Sequence, residues 1–236
     1  MMEDRITAES RAIHERYARR TQTYDPLAPW VLMTRQELER ALSHWARHAF
    51  PSGVAQVTLL EVGCGSGGNL QQLLRLGFAP ENLSGNELQA ERVAQAARNL
   101  PAGVRIKAGN ALDLNLAPGS LDVVFQSLVF SSVLDNDLQA MLARKMWQWI
   151  RPGGGILWYD FTVNNPSNAD VRGVPLRRVR ELFPEASMQS WRVTLAPPLS
   201  RLVTRLHPAL YGWCNLVPWL RTHQLCWLQK RTVLTP

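Results

Sequence analysis

The chain has 236 residues, 46% hydrophobic and 19% charged, enough to bury a substantial core and better suited to one domain with appendages than to two full domains. A net charge of +7 raises a nucleic-acid partner, but arginine supplies 23 of the 26 basic residues and they are scattered rather than gathered in a stripe, so that partner is not expected. Cys64, Cys214 and Cys226 have neither disulfide-framework density nor metal-ligand spacing, and no signal-peptide pattern or run of about 18 apolar residues occurs, so a reducing cytoplasm is the expected location.

Residues 1–50 carry helical periodicity, with Ala12, Ile13 and Tyr17 near one face and Leu38, Ala41, Leu42 and Trp45 on another. Pro26 and Pro29 disfavour a continuous helix, so Tyr24-Asp-Pro-Leu-Ala-Pro29 separates two helices of an N-terminal extension. The main domain is expected over 51–236. Strands at 57–62, 82–87, 104–108, 121–127 and 154–161 alternate with helices near 68–76, 88–99 and 136–150, ended by Gly77, Pro101 and Pro152-Gly-Gly-Gly155. That alternation predicts a parallel sheet with helices on both faces. A polar loop, Asn164 to Gly173, then leads to a short basic helix from Pro175 to Phe183, and further strands are expected at 187–195 and 224–230. Between those strands, 197–222 is longer than a hairpin needs.

Glu61-Val-Gly-Cys-Gly-Ser-Gly67 lies between the first strand and the following helix. Glycines allow a sharp turn and close ligand approach, and the helix start favours negative charge, so this is a site for a small anionic or zwitterionic cofactor. Gly63, Gly65 and Gly68 also satisfy G-x-G-x-x-G, with Glu87 at a distance suited to a dinucleotide ribose. Glu61 argues against a pyrophosphate and for a ligand with an ammonium beside its carboxylate, which S-adenosylmethionine has.

The stretch Val57 to Phe161 resembles the class I S-adenosylmethionine-dependent methyltransferases, through Glu61-x-Gly63-x-Gly65-x-Gly67, Leu83-Ser-Gly-Asn-Glu87, Gly109-Asn-Ala-Leu-Asp113 and Arg151-Pro-Gly-Gly154. The resemblance implies a Rossmann-like α/β fold, a seven-stranded mostly parallel sheet closed by an antiparallel seventh strand at Gln224 to Lys230. It also implies that Glu61 holds the methionine ammonium, that the turn with Cys64 meets the carboxylate and sugar, and that Glu87 accepts the ribose hydroxyls. Asn110 and Ala111 would meet the adenine edge, where Asn110 replaces the commoner Asp, and Gln126 and Ser127 would line the floor under the methyl group. The N-terminal extension would cover the cofactor with Tyr17, Arg20 and Tyr24 in reach; a helix packed outside the sheet is the alternative.

Gln126-Ser-Leu-Val-Phe130 lacks the Asn/Asp-Pro-Pro-aromatic run of exocyclic-amine methylation and the carboxylate of metal-dependent catechol methylation, so no metal is expected. Acceptor candidates are Asp160 as base and, in the polar loop, Asn164, Asn165, Asn168, Asp170 and Arg172, with Trp158, Tyr159 and Phe161 offering ring faces; an Asx-rich turn bonding its own backbone is the alternative for the loop. The run Trp158 to Gly173, with Leu182-Phe-Pro184, Thr194 to Pro198 and Arg221-Thr-His223, resembles a subgroup from bacterial surface-polysaccharide biosynthesis clusters. It implies O-methylation of a sugar hydroxyl. Methylation of RNA or a small metabolite, and nonenzymatic binding of cofactor or partner, are the other functional expectations.

Leu199, Leu202, Val203, Leu206, Leu210, Trp213, Val217 and Leu220 recur at near-helical spacing, broken by Pro208 and Pro218. A lid over the substrate side, a peripheral membrane contact and a homodimer interface all fit that pattern. His14, His44, His48, His207 and His223 form no metal-ligand pattern; His14 and His223 are the ones placed to approach an acceptor.

Overall fold

The computed structural model describes residues 2–19, 25–164 and 168–232, so the expectations for Arg20, Tyr24 and Asn165, and for the side chain of Tyr17, fall outside what it describes. Seven strands form one sheet: β1 (Leu59–Val62), β2 (Leu83–Glu87), β3 (Arg105–Ala108), β4 (Leu121–Ser127), β5 (Ile150–Phe161), β6 (Ser187–Leu195) and β7 (Arg221–Gln229). Their order is β3-β2-β1-β4-β5-β7-β6, and β7 alone runs antiparallel to its neighbours. The Rossmann-like architecture with an antiparallel seventh strand is therefore as expected.

Alternation along the central strands sends successive residues to two buried faces. Leu59, Phe125, Leu157 and Trp227 meet α2 (Pro29–Ala49), α3 (Gly68–Arg75) and α4 (Ala90–Asn99), while Leu60, Val124, Ile156 and Leu228 meet α5 (Asn136–Trp149) and α6 (Leu176–Leu182). In α2, Leu38, Leu42 and Trp45 fall on one stripe and are buried in the first of these layers, which makes α2 a wall of the core. By contrast none of the described side chains of α1 (Met2–Ala18) joins the hydrophobic clusters, and polar contacts tie the helix to the sheet edge.

β2 and β3 start one residue and β1 two residues later than the sequence expectation, while β7 starts three and β5 four residues earlier. β1 begins at Leu59 because Thr58 is tied to Asp122, its N–H and hydroxyl both donating to Asp122 Oδ2 at 2.7 Å. β5 begins at Ile150, which pairs with Leu121, and the register shifts before Gly155 meets Val123; the Arg151 guanidinium pairs with Asp122 inside that irregularity. The insertion expected over 197–222 ends at 220, since β7 begins at Arg221, and folds as α7 (Pro197–Leu206), α8 (Ala209–Asn215) and a 3-10 turn, Pro218–Leu220. They pack on α2 and the end of β6 through Leu195, Val203 and Tyr211, with Met33, Leu199 and Leu220 around them.

Candidate cofactor and acceptor site

β1, β2, β4 and β5 run parallel, so the glycine turn, Glu87, Gln126 and Asp160 all reach the same carboxyl edge of the sheet. The turn needs glycine for two reasons. Gly63 and Gly67 have φ of 68° and 88°, and a Cβ would come within 2.6 Å of a Val129 methyl at Gly63 and 2.7 Å of a Leu100 methyl at Gly67. Cys64 packs against Gly85 of β2, and burial pushes its thiol far above the ordinary range, so it fills space and stays protonated.

Glu61 is fully buried. Its Oε1 accepts from Asn69 Nδ2 at 2.6 Å, whereas Oε2 has no hydrogen-bond partner among the described residues. Burial raises its carboxyl to about 8, against the Asn69 hydrogen bond, and the neighbouring Glu87 raises it further. A buried oxygen left without a donor is costly, and an ammonium ligand supplies one, so the residues present fit the methionine end of S-adenosylmethionine. Glu87, also buried, is fixed by two backbone donors: Gly65 N–H to Oε2 and Gln89 N–H to Oε1, each 2.9 Å. Each oxygen keeps further acceptor capacity, and the pair is held in place for two vicinal hydroxyls.

Asn110 Oδ1 accepts from Leu112 N–H and its Nδ2 donates to Ser10 Oγ, each at 2.9 Å, and Ala111 is buried beside it. The Asn110 amide thus joins the loop after β3 to α1. Further along, Arg16 donates to Glu9 and to the Ser132 carbonyl, both at 2.8 Å, and Leu134 N–H donates to Glu9 at 3.1 Å. α1 therefore lies across the carboxyl edge, from the loop after β3 to the loop after β4. His14 on this helix is exposed.

The floor after β4 is pinned from below. Gln126 is fully buried, with Oε1 accepting from Val129 N–H at 3.1 Å and Nε2 donating to Tyr159 O at 3.3 Å; Ser127 is half-buried. Leu128 has φ 61°, and its carbonyl accepts the hydroxyls of Ser131 and Ser132. Asp160 lies beneath this loop, 1% exposed, its Oδ2 accepting from Ser131 N–H at 3.1 Å and Oδ1 from Phe161 N–H at 3.0 Å. Burial raises its carboxyl to about 7 in spite of those hydrogen bonds. His223 on β7 is stacked on Tyr159 with ring centres 5.1 Å apart, and burial lowers its imidazole to about 4.

The polar loop mainly bonds its own surroundings. Asn164 Oδ1 accepts from Gly173 N–H at 2.9 Å, Asn168 Oδ1 from Asp170 N–H at 3.0 Å, and Arg172 donates to Leu134 O and Asn136. Trp158 offers no open ring face: the strand alternation turns it to the α5 side, where it is 1% exposed and meets Phe130 and Phe183. Tyr159 is likewise buried, its hydroxyl 2.8 Å from Thr194 Oγ1.

The sequence reading missed a buried polar cluster beside His223. Glu37 of α2 accepts from Thr194 N–H at 2.7 Å and from the Tyr211 hydroxyl, fixing Thr194 at φ 64°. These partners are 157 and 174 positions from Glu37, so no local pattern reveals them. Asn69, the partner of Glu61, was accessible to sequence reasoning as a polar residue at the helix start facing the motif acid.

Residues 59–154 match the family described as a methyltransferase domain. No curated protein matches. Among solved structures, the geranyl diphosphate C-methyltransferase of Streptomyces coelicolor A3(2), determined with Mg2+, geranyl diphosphate and S-adenosyl-L-homocysteine, aligns with a TM-score of 0.59 at 16% identity, covering 81% of this chain and 78% of that one. A SAM-dependent methyltransferase from Methanosarcina mazei aligns with a TM-score of 0.52 at 13% identity, over 75% of this chain and 94% of that one. The cyclase SpnF aligns with a TM-score of 0.58 at 18% identity over 83% of each chain. At these identities the likeness is one of fold.

Proposed function

We propose that this chain, which carries a class I S-adenosylmethionine-dependent methyltransferase domain, O-methylates a sugar hydroxyl of a bacterial surface glycan or its precursor. The cofactor is S-adenosylmethionine, which supplies an electrophilic methyl group when bound. The observation that carries the reading is the buried Glu61 Oε2, which, among the described residues, lacks a donor inside a glycine turn whose partner strand presents Glu87. Glu61 would hold the ammonium, the turn amides the carboxylate, and Glu87 the ribose hydroxyls.

Methyl transfer from a sulfonium is an in-line displacement, so the chain's work is to align the acceptor, exclude water and receive the hydroxyl proton. Asp160, raised to about 7, is the group near the edge suited to that proton at neutral pH, whereas His223, lowered to about 4, is neutral there but a weak base. The sugar acceptor is supported by the sequence resemblance around 158–173.

The test is turnover with a methyl-labelled donor on bacterial glycans, RNA and small metabolites, followed by mass spectrometry of the product. An O-methyl sugar is the expected product. Label entering RNA or a metabolite instead would reassign the acceptor, and cofactor binding without turnover on any of them would make the chain a binding protein. In the same assay Glu87→Ala should weaken cofactor binding by about 1.5–3 kcal/mol, the range for hydrogen bonds to a charged group.

A further inference from the structure

The α7–α8 hairpin buries both polar and apolar side chains on its inner side and leaves large apolar ones outside. On α7, Ser200 and Thr204 are buried and the Thr204 hydroxyl donates to Ser200 O at 2.7 Å, whereas Leu202 and Leu206, one turn apart, are 59% and 75% exposed. Trp213, Leu216 and Trp219, on α8 and in the segment after it, are exposed by 71%, 70% and 85%. Large apolar residues on a soluble surface usually occur singly, so this many within one short segment mark an interaction face. The set is not an accident of loose packing, because Tyr211 and Val203 are buried on the inner side and the Tyr211 hydroxyl is held by Glu37.

Charge identifies the occupant. The hairpin and the strands that flank it, residues 187–229, contain no Asp or Glu and carry Arg192, Arg201, Arg205 and Arg221. Arg205 is exposed next to Leu206, and Arg201 lies over the Trp30 ring at 4.8 Å, which brings the start of α2 alongside the hairpin. We propose that this face docks on an anionic phospholipid bilayer, with Trp213, Trp219, Leu206 and Leu216 entering the boundary between headgroups and acyl chains and the arginines meeting lipid phosphates. A second copy is the poorer occupant, since a two-fold interface sets the same patch against itself and would bring the exposed Arg205 of both copies into one interface. Among the described residues no helix is long and apolar enough to cross a membrane, so the contact is peripheral. The inference goes beyond methyl transfer and does not depend on it.

The full chain would be centrifuged with vesicles of phosphatidylcholine alone and of phosphatidylcholine mixed with phosphatidylglycerol. Pelleting with the anionic vesicles, weaker with the neutral ones and reduced by salt, is expected. Combined Leu206→Ser, Trp213→Ser and Trp219→Ser should lower the partition coefficient by about tenfold or more, since each removes apolar area from the lipid boundary. Arg205→Glu should weaken binding to anionic vesicles and leave that to neutral ones unchanged. All these positions are exposed, so circular dichroism melting and cofactor binding should match the parent chain, which separates lost docking from lost folding or lost catalysis. Absence of pelleting with anionic vesicles, or pelleting untouched by the serine variants, would overturn the proposal. A dimer seen by sedimentation velocity and abolished by the same variants would assign the face to a second copy.

Discussion

Glu61 keeps its proton at neutral pH until a cation meets it, because its carboxyl titrates at about 8 in the buried turn. An incoming ammonium favours the carboxylate, so cofactor binding should release a proton. From about pH 6 to 7.5 affinity should rise with pH, by at most about tenfold per unit, as the cost of ionising Glu61 falls. Calorimetry in buffers of different ionisation enthalpy reads that proton directly, and Glu61→Gln should bind more weakly with no such pH dependence. For catalysis, a base works only when deprotonated. With Asp160 in that role the rate at saturating acceptor should drop below about pH 7, and Asp160→Asn should lose about 10²-fold in turnover with cofactor affinity kept. A rate flat down to about pH 5 would instead point to His223, which burial keeps neutral there.

The two N-terminal helices look alike as periodic, charged stretches, yet they are held by different forces. α2 places a continuous apolar stripe on the sheet and cannot leave without opening the core. α1 rests on Glu9, Ser10 and Arg16, which reach loops 100 to 125 residues away, and on the exposed pairs of Arg5 with Asp135 and Asp137. Arg16→Ala should therefore loosen α1 without unfolding the domain. The expected result is a rise of about tenfold in the cofactor dissociation rate, the effect of losing a charged hydrogen bond, with a nearly unchanged urea midpoint. A midpoint that fell with the rate unaffected would show α1 to be part of the folding core instead. α7 and α8 illustrate the limit of periodicity: their apolar spacing was plain in the sequence, but it also fits a face turned outward.

At the scale of the whole molecule, the cofactor would meet loops that follow β1, β2 and β4, so its binding couples to unfolding of the entire sheet. At a hundred times its dissociation constant, a ligand that binds only the folded chain adds about 2.7 kcal/mol. For a chain of this length that corresponds to a Tm increase of roughly 5–10 °C. S-adenosylmethionine or S-adenosyl-L-homocysteine should produce that shift in thermal melting and NADH should not; a shift with NADH alone would restore the dinucleotide reading of Gly63, Gly65 and Gly68.

The antiparallel closure of the sheet was implied only by the family resemblance, whereas the parallel sheet and the cofactor edge were legible in the sequence alone. Those properties reside in local signals: alternating apolar strands, glycines required by a turn, and acids placed where strands end. Tertiary structure decided what those signals cannot encode. It turned Trp158 into the core by the parity of β5, set Asp160 beneath the loop after β4, and assembled Glu37, Thr194 and Tyr211 from three distant segments. It also decided that α2 is core while α1 lies across the edge, and that Leu206, Trp213 and Trp219 face outward. The physical reason is common to all of these: which face of an element is buried depends on what packs against it, and those partners are contributed by residues far away along the chain.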